Sequence, residues 1–177
     1  MAGGKGTRIS SIASDIPKPM IKIDGIPVLE REIESLRSQG FDDIIITVSH
    51  LGNVIMDYFG DGSKLSPTTG LPFGVHIEYF NEEKPLGNAG ALFKLKDKLT
   101  EDFLLLNADA LFDIDFNRFV AFHKQKGGLV TLFTHPNNHP YDSGLIITNE
   151  NGTVDEWLAR KTKDHFITKI ELMLGCM

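Results

Sequence analysis

Two short apolar runs, Ile44 to Val48 and Phe103 to Leu106, alternate with segments whose apolar residues recur at helical period, and this alternation restricts the fold more than any other feature. A strand with no polar alternation has both faces covered, as a central strand of a parallel sheet does. Parallel neighbours need crossover connections, which helices supply. From Pro27 to Gln39 one helical face carries Val28, Leu29, Ile33 and Leu36, and Gly40 stops it. A second helix is predicted from Gly52 to Phe59, followed by a Gly/Ser/Pro-rich loop from Gly60 to Gly74 and an alternating strand from Val75 to Phe80. Gly87 to Leu99 and Phe116 to Lys126 read as helices. Leu129 to Thr134, Gly144 to Thr148 and Thr153 to Trp157 read as strands, the last two joined by a turn at Glu150 to Gly152. The expected class is α/β with a doubly wound, mostly parallel sheet.

Composition narrows the function. A chain of 177 residues suits one domain, and its 41% hydrophobic and 24% charged residues are those of an ordinary soluble protein. It has no apolar run of membrane length and no basic start leading into a hydrophobic stretch, so a cytoplasmic location without a membrane partner is expected. Cys176 is the only cysteine, which excludes an internal disulfide framework and any multi-cysteine metal site. A net charge of −6 excludes a nucleic-acid surface, so phosphate binding must be local.

The chain opens with such a local site. Gly3, Gly4 and Gly6 allow a backbone that approaches a ligand with no Cβ in the way and aims several N–H groups at one anion. Entry into a helix near Thr7 would add its dipole, and Arg8 and Lys18 add full charges suited to a polyphosphate. The spacing fits neither a P-loop nor a dinucleotide fingerprint. Ligands of an α/β sheet lie beyond the carboxyl ends of its strands, where Asn107, Ala108 and Asp109 follow the Phe103 run. His135 and His139 are separated by prolines, so no helix presents them together, and a zinc site there is rejected. Asp113 and Asp115 are expected to cap the following helix, and Phe116, Phe119 and Phe122 to be core.

The opening loop, followed by Pro17-Lys18-Pro19-Met20, resembles the G-G-x-G-T-R and P-K-P-(M/L) signature of the sugar-1-phosphate nucleotidyltransferases. The resemblance implies a Rossmann-like, glycosyltransferase-A-type fold in which an apolar strand leads into the glycine loop. Met1 stands at that strand's final position, so the first strand is expected to be missing. It also implies that Ala2, Gly3, Gly4, Gly6 and Thr7 bind the nucleotide and that Arg8 and Lys18 neutralise phosphates. Ala108-Asp109 stands where the family has Gly-Asp, making Asp109 the catalytic ligand of Mg2+. The stretch from Glu83 to Ala91 resembles the family's P-L-G-T-A-G-A loop with Asn88 for threonine, so Gly87, Asn88 and Ala89 would border the base. Asp142 and Gly144 would border the sugar, in wording similar to enzymes that attach guanylyl groups to mannose or heptose 1-phosphate. The implied substrates are a nucleoside triphosphate, GTP by this wording, and a sugar 1-phosphate, with pyrophosphate released.

After Ala159 the family continues K-E-D-x-R-P-x-Y-Y-K-N-R-V-N-A-G-L-H, which this chain does not match. Taking the third base of each codon with the first two of the next, from Ala159 onward, allowed codons spell K-E-D-K-R-P-F-Y-Y-K-N-R-V-N-A-G-L-H. The expected organisation is therefore a partial nucleotidyltransferase domain over 1–159 and an out-of-frame tail over 160–177. Two other readings are a non-catalytic nucleotide-binding regulatory homologue and an inactive fragment of a frameshifted gene.

Overall fold

The computed structural model describes residues 16–84, 86, 90–134, 145–158, 160–161, 166–167 and 172–175. A single 3-10 turn at Lys18–Met20 leads into β1 (Lys22–Ile23), β2 (Ile26–Pro27), α1 (Val28–Ser38), β3 (Asp43–Val48) and α2 (Gly52–Phe59). Then come β4 (His76–Asn81), α3 (Gly90–Leu95), β5 (Phe103–Leu106), α4 (Phe116–Lys126) and β6 (Val130–Phe133). The chain continues through β7 (Leu145–Thr148), β8 (Val154–Leu158), β9 (Arg160–Lys161), β10 (Phe166–Ile167) and β11 (Leu172–Gly175). No helix among the described residues is long and apolar enough to cross a membrane.

Helix α1 forms where the apolar period predicted it, and it buries Val28, Leu29, Ile33 and Leu36. Its end is a Schellman motif: Gly40 N–H donates to Arg37 O and Phe41 N–H to Leu36 O, both at 3.0 Å. Gly40 takes φ +90°, and Phe41 packs in the cluster around Leu36. Helix α4 is closed at both ends as its sequence suggests. Asp115 accepts from Arg118 N–H at 2.8 Å, and Gly127, at φ +66°, donates to His123 O at 2.9 Å.

Strands β3 and β4 are parallel, from Asp43 opposite His76 to Val48 opposite Asn81, with α2 as their crossover. Met20, Leu29, Ile33, Ile46, Val48, Ile55 and Phe59 form the larger core around this unit. Gly62 runs against it at φ +85°, and a Cβ there would stand 2.3 Å from Val75 O. β11 lies between β5 and β6 and is antiparallel to both, so β5 and β6 run in the same direction. The tail therefore contributes the central strand of this three-stranded sheet. β7 and β8 form an antiparallel hairpin whose turn is held by Asn149 Oδ1, accepting from Asn151 N–H at 3.0 Å and Thr153 N–H at 3.1 Å.

One expectation is corrected. Phe116 is fully buried and Phe119 packs with it, but Phe122 is 43% exposed, with Lys126 Nζ 5.6 Å from its ring centroid. Each three-residue step falls about 60° short of a full helical turn, so two steps carry Phe122 off the buried stripe. The third predicted helix is shorter than its sequence pattern. It spans Gly90–Leu95 and passes into a turn, and 87–89 lie outside the described residues.

Among the described residues, β3 has β4 as its only strand partner and β5 has β11 as its only one. A cavity of about 910 Å³ lies between them, lined by Asp43 to Thr47 of one and Phe103 to Leu106 of the other. The second core cluster holds the two sheets together beside this gap, joining Leu36 and Phe116 to Ile44 of β3 and to Leu104 and Leu106 of β5.

Candidate functional site

β5 ends at Leu106 and the chain turns back immediately, with Ala110 N–H donating to Asn107 O at 3.3 Å. Ala108 is buried in the larger core, which leaves the neighbouring Asp109 side chain 48% exposed. Pro17 opens the 3-10 turn in which Met20 N–H donates to Pro17 O at 2.8 Å and Ile21 N–H to Lys18 O at 3.0 Å. Pro19 and Met20 are buried and anchor the turn, so Lys18 is held outward at its start. Lys18 Nζ stands 3.9 Å from Asp109 Oδ2. Two residues far apart in sequence thus meet beyond the carboxyl end of β5, where an α/β sheet places its ligands.

The separation is longer than the 2.7–2.9 Å of a close charged hydrogen bond. Half-exposed pairs of this kind contribute little stability, so exchanging the partner for a ligand costs little. A single carboxylate and an adjacent cation fit Mg2+ in a phosphate site, because Mg2+ binds through one or two carboxylates and takes other oxygens from phosphates and water. Among the described residues no group of three His, Cys, Asp or Glu could hold a metal ion by itself.

Two further carboxylates were not singled out from the sequence. Glu82 follows β4 and is buried; its N–H donates to Val48 O at 2.7 Å, and its Oε2 accepts from Leu86 N–H at 3.3 Å. It thereby ties Leu86 to the end of β4. Gly90, the first residue of α3, packs against Leu86, where a Cβ would lie 2.7 Å from Leu86 Cβ. Glu32, on α1, is 5% exposed, and its Oε2 has no hydrogen-bond partner among the described residues. Burial pushes its carboxyl up to about 8, and the charge of Asp109 pushes the same way. The signal was present, since Glu32 is four residues from both Val28 and Leu36 and so lies on the buried stripe.

Of the predicted site residues, the structure brings together Lys18 and Asp109. Ala2, Gly3, Gly4, Gly6, Thr7, Arg8, Gly87, Asn88, Ala89, Asp142 and Gly144 lie outside the described residues, as do His135 and His139.

The family model described as nucleotidyl transferase matches residues 1–158. The chain is 38% identical over 168 residues to a UTP-glucose-1-phosphate uridylyltransferase of Synechocystis, covering 87% of this chain and 41% of that protein. It is 33% identical over 165 residues to a mannose-1-phosphate guanylyltransferase of Mycobacterium tuberculosis, covering 93% and 44%. Against a D-glycero-alpha-D-manno-heptose 1-phosphate guanylyltransferase of Campylobacter jejuni it is 38% identical over 118 residues, covering 67% and 49%. The chain thus spans less than half the length of these relatives. Among solved structures, HddC from Yersinia pseudotuberculosis superposes with a TM-score of 0.77 at 23% identity, covering 99% of this chain and 74% of that one. A complex of HddC with GMP-PN gives 0.74 at 24%, with the same coverage. These likenesses show the expected α/β fold.

Proposed function

The chain belongs to the nucleotidyl transferase family, and from that premise we propose that it is the nucleotide-binding portion of an enzyme that transfers a nucleoside monophosphate to a sugar 1-phosphate. The observation that carries this reading is the approach of Lys18 Nζ to within 3.9 Å of Asp109 Oδ2 beyond the end of β5. In the reaction a phosphate oxygen of the sugar 1-phosphate attacks the α-phosphorus of the triphosphate. The bond from that phosphorus to the β-phosphate bridging oxygen breaks, and pyrophosphate leaves with the electron pair. The nucleophile is already an anion, so the protein's task is to position the groups and neutralise charge rather than to remove a proton. Lys18 compensates negative charge on the phosphates. Asp109 would hold Mg2+, which supplies further neutralisation on the phosphate oxygens. The glycine loop with Arg8 would cradle the phosphates, Gly87 to Ala89 would border the base, and Asp142 and Gly144 the sugar.

GTP and a mannose or heptose 1-phosphate are the proposed substrates. The guanylyltransferases of M. tuberculosis and C. jejuni among the relatives support them, and the Synechocystis uridylyltransferase makes UTP the competitor. The cytoplasm is the proposed compartment, supported by the composition of an ordinary soluble protein. Titration of GTP and of UTP with Mg2+ into the chain and into Lys18→Ala tests the reading. GTP should bind tighter than UTP, and Lys18→Ala should lose about 1.5–3 kcal/mol of triphosphate affinity. Equal affinities in the two proteins would remove Lys18 from the site, and tighter binding of UTP would replace the base. The proposed organisation is a nucleotidyltransferase portion over 1–159 and an out-of-frame tail over 160–177, supported by the shifted codon reading. Sequencing the gene through the codon for Met177 and beyond checks it.

A further inference from the structure

We propose that Arg31 is a positioning residue for Lys18, acting through the β1–β2 hairpin that follows the Lys18 turn. Lys18 carries its charge on a flexible stem, and at 3.9 Å from Asp109 Oδ2 its ammonium is not locked by a close charged hydrogen bond. The backbone beneath it therefore decides where the charge stands. That backbone is held by short bonds: Lys18 O accepts from Ile21 N–H, and Ile21 O accepts from Val28 N–H, both at 3.0 Å. Between Ile21 and Val28 the chain makes an excursion, with β1 and β2 joined at Asp24 and Gly25.

The excursion cannot hold itself. Asp24 at φ +49° and Gly25 at φ +81° make the left-handed two-residue turn that suits a hairpin, and the register places Ile23 opposite Ile26 and Lys22 opposite Pro27. Two residues a side are too few for a hairpin to be stable in water. Ile23 is 43% exposed, so little apolar burial fastens the tip. Arg31 fastens it instead: three residues past Val28 on α1, its Nη2 donates to Ile23 O at 2.8 Å. On the other side of Ile21, Met20 is buried in the same cluster as Leu29 and Ile33 of α1. The helix thus grips the chain both before and after Ile21.

Stability alone does not account for an arginine here. Arg31 Nε is buried with no hydrogen-bond partner among the described residues. An unmatched donor of a charged group is costly to bury, and an apolar side chain of similar length would avoid that penalty. What the guanidinium supplies and an apolar side chain cannot is the bond to Ile23 O. A shift of the turn by about 1 Å would displace Lys18 from the phosphates it meets, and misplacement on that scale is enough to weaken catalysis strongly. This consequence for phosphates rests on the transferase reading. The hold of Arg31 on the approach of Lys18 to Asp109 does not.

Carbodiimide coupling, read by mass spectrometry of the digested chain, tests the proposal without nucleotide. The activated Asp109 carboxyl forms an amide with the Lys18 amine, releasing the urea, only where the two groups stand together. Lys98 and Glu78, paired elsewhere on the molecule, serve as the internal control. Arg31→Met keeps the stem and removes the donors. It should cut Lys18–Asp109 coupling at least about tenfold and leave Lys98–Glu78 coupling unchanged, whereas Arg31→Lys, which keeps a donor, should restore most of it. The proposal is overturned if Arg31→Met couples Lys18 to Asp109 as well as the natural chain does, or if Arg31→Lys is no better than Arg31→Met. It is equally overturned if both pairs fall together in Arg31→Met, since Arg31 would then support the fold as a whole. Titration of GTP with Mg2+ reads the consequence: Arg31→Met should weaken binding about tenfold in the natural chain and have no further effect in Lys18→Ala, because it acts through Lys18. An equal loss in both backgrounds would overturn the route through Lys18. If Lys18→Ala binds GTP as tightly as the natural chain, the transferase reading fails, while the coupling yields still decide whether Arg31 holds the Lys18 turn.

Discussion

Asp109 and Glu32 show how placement divides the roles of two carboxylates on the same side of the molecule. Asp109 is half exposed beside Lys18, and its charge is available to a cation. Asp109→Asn keeps the shape and removes that charge, so it should abolish Mn2+ binding measured by water relaxation in the presence of GTP while leaving the circular dichroism spectrum unchanged. Retained Mn2+ affinity would make Asp109 structural. Glu32 is buried with a pKa of about 8 against an ordinary value of 4.5. Below 4.5 both folded and unfolded chains carry its proton. Between 4.5 and 8 the unfolded chain loses the proton while the folded one keeps it, so stability falls as pH rises through this window and levels off above it. Glu32→Gln should flatten that slope, gaining on the order of a few kcal/mol over the natural chain at pH 8 and little at pH 4. Urea denaturation at the two pH values reads the difference, and parallel profiles would show that Glu32 does not titrate in this window.

At the scale of elements, helix ends and tight loop crossings decide where the pieces stop. The Asp115 cap on α4 satisfies one otherwise orphaned N–H, and Asp115→Ala should cost about 1 kcal/mol in equilibrium unfolding. The loop from Gly60 to Gly74 was legible only as a break between two elements. In the structure it is pinned: Thr69 Oγ1 donates to Glu30 Oε1 at 3.2 Å, and Tyr79 Oη donates to Gly60 O at 2.7 Å. Gly62 passes so close to Val75 O that Gly62→Ala must shift backbone as well as adopt an unfavourable positive φ. It should cost more than the roughly 1 kcal/mol of an ordinary left-handed glycine, seen as a lowered midpoint in thermal unfolding. No sequence pattern announces this contact, because it joins a turn to a strand through a backbone atom.

Across the whole molecule, two sheets are held as one body by a small cluster beside the gap. Phe116, with no exposed surface, and Leu36 bridge β3 and β5, and Phe41 meets Phe116 edge-on at 6.0 Å between ring centroids. Gln39 adds polar stitches, accepting from Phe116 N–H at 2.7 Å and donating to Ile114 O at 3.2 Å. Phe116→Ala should cost about 3–5 kcal/mol and separate the unfolding of the β3/β4 unit from that of the β5 sheet. Hydrogen exchange under mild denaturant checks it, and a single cooperative loss across both sheets would show that other contacts couple them.

The sequence by itself determined what depends on local periodicity and short-range caps. Helix α4 runs from Phe116 to Lys126 and β5 from Phe103 to Leu106 as read from their residues, because helical recurrence, Asp115 and Gly127 act within a few positions. The alternation of such elements also placed Asp109 at a strand's carboxyl end. Tertiary structure alone decided that Lys18 comes to Asp109 and that β11 runs antiparallel between β5 and β6. Those outcomes rest on contacts between segments far apart in the chain. Distance between remote residues and strand order are properties of the packed molecule, and no local pattern encodes them.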